Sequence, residues 1–164
     1  MSHVYVLLIC FLGFLCGNLS ATCPEAFERH GNGCYKVLEL NATWPEAKVY
    51  CSVIGGDLAE IEDASENALI LGILSRLHVS KNNQIFWLDG SDMLAENEWR
   101  WMGQKGASQV MMYTNWHPNQ PDNAGGIEHC LEIVTDHWND DRCDIPRSFI
   151  CEARDMPGNI DIVG

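Results

Sequence analysis

The chain has 164 residues, with 23 Asp and Glu against 10 Lys and Arg, for a formal net charge of −13. That balance excludes nucleic acid and anionic membrane as natural partners, since both select clustered Lys and Arg. The length suits one domain with an apolar core of its own.

The first element is the apolar run Tyr5 to Gly17, followed by the small residues Gly17, Ser20 and Ala21. It is shorter than the ~20 residues a membrane helix needs and reads as a secretory leader over residues 1–21, although its start carries no Lys or Arg. The expected product is soluble and secreted, with no membrane span: one domain over 22–153 and a short tail over 154–164. Of 8 cysteines, Cys10 and Cys16 leave with the leader. The remaining six (Cys23, Cys34, Cys51, Cys130, Cys143 and Cys151) suggest three disulfides, whose pairing counting does not resolve. A zinc cluster would need CxxC spacing, and none is present.

Asn32-Gly33 before Cys34-Tyr35 predicts a hairpin turn. Asn41-Ala42-Thr43 is an N-glycosylation acceptor at Asn41. Thr43-Trp44-Pro45-Glu46 is a capping box with Pro in the first turn, so a helix is expected from there to Gly55-Gly56, with Ala47, Tyr50, Cys51 and Ile54 on one face. Asp63-Ala64-Ser65-Glu66 opens a second helix bearing the stripe Leu69, Ile70, Ile73, Leu74 and Leu77. Strands are expected at Ile85 to Leu88, Glu98 to Met102, Met111 to Thr114, Cys130 to Val134 and Ser148 to Cys151, separated by polar loops. The fold class is α+β. The loop from Trp116 to Glu128 is long enough to suggest function.

Around Pro121 the side chains are rich in oxygen. Asp122, Glu128 and Asp140 offer carboxylates, and Gln120 and Asn139 offer amide oxygens. Ca²⁺ takes six to eight such donors, and the hydroxyls of a sugar suit the positions these five leave. Gln120 to Asn123 alone would also serve as an ordinary polar turn; Glu128 and Trp138-Asn139-Asp140 make the difference. His117, His129 and His137 lack the spacing of a transition-metal motif. No Gly-x-Ser-x-Gly, Walker loop or nucleophile–base pattern supports an enzyme.

Read in order, Cys34-Tyr35, Gly55-Gly56-Asp57-Leu58-Ala59, Phe86-Trp87-Leu88-Asp89-Gly90, Tyr113-Thr114-Asn115-Trp116, Gln120-Pro121-Asp122-Asn123, Glu128-His129-Cys130, Trp138-Asn139-Asp140 and Phe149-Ile150-Cys151-Glu152 resemble the C-type lectin-like domain family. Within it, the chain is most similar to small secreted invertebrate members of the perlucin kind. The resemblance spans Cys23 to Cys151. It implies the pairs Cys23–Cys34, Cys51–Cys151 and Cys130–Cys143, and a cis bond before Pro121. It also implies that Gln120, Asp122, Glu128, Asn139 and Asp140 hold one Ca²⁺ and, with it, the carbohydrate.

In that family a Gln-Pro-Asp triplet accompanies galactose or N-acetylgalactosamine, whereas Glu-Pro-Asn accompanies mannose. The aromatic residue that strong galactose binders carry just after the triplet is absent here; Trp116 and His117 are assigned to core packing and exposed loop. A second, auxiliary calcium position retains Asp92 and Glu96 but has Asn123 and His129 in place of acids, so one calcium is expected. The expected function is a secreted calcium-dependent lectin of galactose or N-acetylgalactosamine preference, serving glycan recognition in innate defence. The alternative is a calcium-binding matrix or biomineralisation protein on the same scaffold. Any oligomer would be noncovalent, since every cysteine of the domain has a partner within it.

Overall fold

The computed structural model describes residues 22–77, 85–103 and 108–154. The expected leader, and the tail beyond Arg154, lie outside the described residues. Within them no helix is long and apolar enough to cross a membrane.

The chain opens with strands β1 (Glu28–His30) and β2 (Gly33–Ala42), paired antiparallel with His30 opposite Gly33. The turn is therefore Gly31-Asn32, one residue earlier than the sequence suggested, because Gly31 takes the positive φ of 59°. Helix α1 (Trp44–Val53) begins on the predicted capping box: Thr43 N–H and Oγ1 both reach Glu46 Oε2, at 2.9 and 2.8 Å. Its buried face is Trp44, Ala47 and Cys51; Tyr50, expected inside, is half exposed and rests against Phe149 at 5.9 Å. After β3 (Asp57–Leu58), helix α2 (Ala64–Leu74) is capped by Asp63, whose Oδ1 accepts from the N–H groups of Ser65 and Glu66. Ile70, Ile73 and Leu74 carry its stripe into the core, while Leu77 lies past its end.

The second half adds β4 (Ile85–Ser91), β5 (Arg100–Trp101), β6 (Gln109–Val110), β7 (Cys130–Val134), β8 (His137–Asp141) and β9 (Arg147–Ala153). These strands and β1 to β3 form one hydrogen-bonded network whose main path runs β1-β2-β9-β4-β5-β6. Strand β3 lies on β9, and β7 and β8 extend from β4. Two expectations shift here. Met111 to Thr114 is not a strand, because the ladder to β5 ends at Val110 opposite Arg100. Trp138 to Asp140, read as loop, forms β8 against β7. Its polar residues sit in a strand because Trp138 is fully buried and fixes the register.

Phe86, Trp87, Leu88, Leu131, Ile133, Trp138, Phe149 and Ile150 are all at most 1% exposed and form the centre of the core. The indole N–H groups of Trp87 and Trp138 find acceptors on Ala42 O and Asn67 Oδ1, and that of neighbouring Trp44 on Leu88 O. Gly90 is required where β4 meets β7: a Cβ there would stand 2.6 Å from Leu131 Cδ2. Lys48 ties α1 to the sheet by pairing with Asp57 at 2.8 Å and with fully buried Asp89. The disulfides are Cys23–Cys34, Cys51–Cys151 and Cys130–Cys143. They join the N-terminal hairpin, α1 to β9, and the start of β7 to the turn after β8.

Candidate functional site

The loop between Trp116 and Cys130 is anchored at its start by the backbone of Trp138 on both sides of Trp116. His117 N–H donates to Trp138 O at 2.8 Å, and Trp138 N–H donates to Asn115 O at 2.9 Å. The Trp138 ring meets Trp101, Tyr113 and Trp116 edge-on at 5.6 to 5.9 Å. Trp116 thus belongs to the core wall, as its sequence context suggested. This aromatic cluster fixes the position of the two residues that follow Trp138.

Side chains alternate along a strand, so Asp140 shares the face of Trp138 while Asn139 takes the other. Asp140 is only 1% exposed. Its Oδ1 and Oδ2 accept from the N–H groups of Asp122 (3.2 Å) and Asn123 (2.8 Å). One carboxylate on a rigid strand therefore holds the backbone just after the triplet. The Gln120–Pro121 bond is cis, and Asn119 and Asn123, with φ of 75° and 43°, turn the chain on either side. The loop then closes on itself: Glu128 N–H donates to Asn123 Oδ1, and Ala124 N–H donates to Glu128 Oε2, both at 2.9 Å.

Carboxylate oxygens of Asp122, Glu128 and Asp140 consequently lie within 4.8 Å of one another. Burial, then the charges of Asp140, Asp141 and Asp122, push Glu128 above the ordinary carboxylate range, against the Ala124 hydrogen bond that lowers it. Gathered acids that repel one another are stabilised by a cation. Gln120 supplies a second observation: its Oε1 is buried and has no hydrogen-bond partner, the usual mark of an oxygen with an unstated role. Asn139 commits its amide nitrogen to Glu132 Oε1 (3.1 Å) and Asp140 O (2.7 Å), so Oδ1 is its remaining donor to a metal. Three carboxylates and two amide oxygens match the hard-oxygen chemistry of calcium.

The auxiliary position is different. His129 Nδ1 lies 2.9 Å from Asp92 Oδ1 and 3.6 Å from Glu96 Oε2. An imidazole already occupies the attention of both acids and is a poor calcium ligand, so this donor set does not fit that ion.

Sequence reasoning missed Glu132. It is 2% exposed and receives Arg147 Nε at 2.9 Å, while Arg147 Nη2 donates to Asp141 Oδ2 at 2.6 Å. The pair ties β7, β8 and β9 together beneath Asn139. The available signal was a lone Glu inside the apolar run Cys130 to Val134, which only a buried partner tolerates.

A sequence profile described as the lectin C-type domain matches residues 40–153. The chain belongs to the C-type lectin domain family. Perlucin from Haliotis laevigata is 41% identical to this C-type lectin over 139 residues, covering 82% of this chain and 85% of perlucin. The galactose-specific lectin nattectin from Thalassophryne nattereri is 30% identical over 154 residues, covering 90% and 92%. Among solved structures, the human scavenger receptor C-type lectin carbohydrate-recognition domain matches with a TM-score of 0.69 at 28% identity, over 81% of this chain and 99% of that domain. Together these make the protein a perlucin-like C-type lectin, a carbohydrate-recognition fold and not an enzyme.

Proposed function

We propose that this C-type lectin is a secreted protein that binds galactose-type sugars through one calcium ion held by Gln120, Asp122, Glu128, Asn139 and Asp140. The observation that carries the reading is the convergence of the Asp122, Glu128 and Asp140 carboxylates, with Gln120 Oε1 beside them left buried and unpartnered. When bound, the ion supplies a Lewis-acidic centre on which a pair of sugar hydroxyls can rest. The protein's own contribution is orientation. Asp140 anchors the loop, the Trp138 cluster fixes Asp140, and Glu132 engages the Asn139 amide.

Specificity rests on donor and acceptor chemistry. Gln120 can donate through its NH₂, while the Asp122 carboxylate can only accept. That order reverses Glu-Pro-Asn, which accompanies mannose in the family this chain resembles. The name of nattectin, a galactose-specific lectin 30% identical, supports the same preference. Secretion is supported by the apolar segment in 1–21 and by three disulfides, which persist in oxidising compartments. On this reading the domain is 22–153 and carries a glycan at exposed Asn41, and the auxiliary position holds no calcium.

A sugar held through two hydroxyls binds weakly, with a Kd of ~1 mM or about 4 kcal/mol, so biological avidity requires several copies displayed together. The test is retention on galactose-agarose in Ca²⁺, with release by EDTA and by free galactose. Calcium binding without retention on galactose, N-acetylgalactosamine or mannose resins would refute the lectin reading.

A further inference from the structure

His117 and His137 are distant in the chain and match no metal motif along it, yet the fold sets them side by side. His137 opens β8, and His117 follows Trp116, which bridges to Trp138 in parallel. The His117 N–H bond to Trp138 O, at 2.8 Å, completes the link. The two rings stand 5.7 Å apart between centres, at 82° to one another. Both are open to solvent: His117 is exposed, and His137 keeps 40% of its side chain accessible.

Each ring has one nitrogen committed. His117 Nδ1 lies 3.2 Å from Pro118 O, and His137 Nδ1 lies 2.8 Å from Asp136 Oδ1. A carbonyl and a carboxylate only accept, so Nδ1 carries the proton in each neutral ring and Nε2 keeps its lone pair. Histidines that ligate metals are held in this way, because the second nitrogen's bond to an oxygen fixes the tautomer and makes the ligand more basic. Two imidazoles that share one zinc, at about 2.0–2.1 Å from each nitrogen, have ring centres roughly 5–6 Å apart. The observed separation falls in that range.

We infer that His117 and His137 form a surface site for a divalent transition-metal ion such as zinc or copper, with water completing its coordination. Imidazole nitrogen suits those ions, whereas calcium and magnesium take oxygen, so the site is separate from the proposed calcium position and does not compete with it. The Asp136 carboxylate beside His137, on a chain of net charge −13, favours the approach of a cation. A metal held there clips the start of the long loop to β8. The site does not depend on sugar binding.

The test is calorimetric titration of the untagged protein with zinc in a large excess of calcium. One zinc per chain is expected, undisturbed by calcium or magnesium, with copper binding more tightly than nickel. His117→Gln and His137→Gln should each weaken zinc by about tenfold or more. Asp136→Ala should weaken it by about tenfold, and Asp136→Asn, which keeps an acceptor for Nδ1–H, by less. His129→Gln, which alters the separate cluster with Asp92 and Glu96, should leave zinc binding unchanged. If zinc does not bind, or binds equally well in both His117→Gln and His137→Gln, the pair is only a ring contact and the site is refuted. Loss in His129→Gln alone would place the metal at Asp92 and Glu96 and overturn the assignment as surely.

Discussion

Replacing Glu152 with glutamine should stabilise this protein, by an amount that grows with pH. Glu152 lies on β9, where it lines a cavity with Asp57, Glu60, Glu62 and Glu66, and its Oε2 accepts from Glu60 N–H at 3.2 Å. Burial first, then the charge of Glu66, push its carboxyl up to about 8, with Glu60 and Glu62 adding to the rise and the Glu60 hydrogen bond opposing it. In the unfolded chain the same group titrates near 4.5.

A carboxyl raised in the folded state favours folding fully below the unfolded value. That contribution is lost as pH climbs from about 4.5 to about 8. The loss is about 1.4 kcal/mol per pH unit, so by neutral pH some 2.5 units have accumulated, a ceiling of about 3.5 kcal/mol. Relaxation and water entry reduce this to roughly 1–3 kcal/mol. Glutamine is neutral at every pH, retains an acceptor for Glu60 N–H and avoids the loss. Urea unfolding of both proteins in EDTA, at about pH 4.5, 6 and 7.5, reads the difference as a shift in midpoint. Equal stability near pH 4.5 with a widening advantage for the variant is expected. A difference that stays flat with pH, or a variant that is less stable at pH 7.5, would show that Glu152 is already ionised in the fold.

Gln120→Glu combined with Asp122→Asn reverses the donor–acceptor order and should move the glycan-array profile from galactose-type towards mannose-type sugars; an unchanged profile would place specificity outside the triplet. Saturation with calcium at ~100 times its Kd should raise stability by about 2.7 kcal/mol, a gain that chelator abolishes and that calorimetry in each condition measures. Glu128 already sits above the ordinary carboxylate range because of burial and the neighbouring acids. It should therefore take up a proton early as pH falls, and calcium and sugar should dissociate together on a galactose column; sugar retained at pH 4 would contradict this. Removing Cys51–Cys151, which closes a separation of 100 residues, should cost about 4–5 kcal/mol in chemical denaturation if restriction of the unfolded chain is its main effect.

Much of the site could be read from residue order alone. The five proposed oxygen donors, the two helix starts and the α+β class follow from local chemistry: the capping box of Thr43 with Glu46, Asp63 with the N–H groups ahead of it, carboxylates flanking a proline. What local chemistry did not reveal was where the chain would compensate for its polarity. Trp138-Asn139-Asp140 looked like loop because two of its three residues are polar, yet its indole is the centre of an aromatic cluster and draws the segment into β8. The Gly31-Asn32 turn displaced the expected one because Gly31, and not Gly33, takes the positive φ there.

The sequence by itself determined the chemical inventory: an acidic, disulfide-bearing domain with calcium-grade oxygens gathered around one proline. Only the tertiary structure decided which of those oxygens meet. Asp140 reaches the triplet from 18 residues away because its strand is locked by Trp138, and Glu132 survives in the core because Arg147 arrives from β9. His129 likewise lands between Asp92 and Glu96 through the pairing of β4 with β7. Such meetings depend on long-range packing, which fixes a side chain against partners that are distant in the chain and that no local pattern encodes.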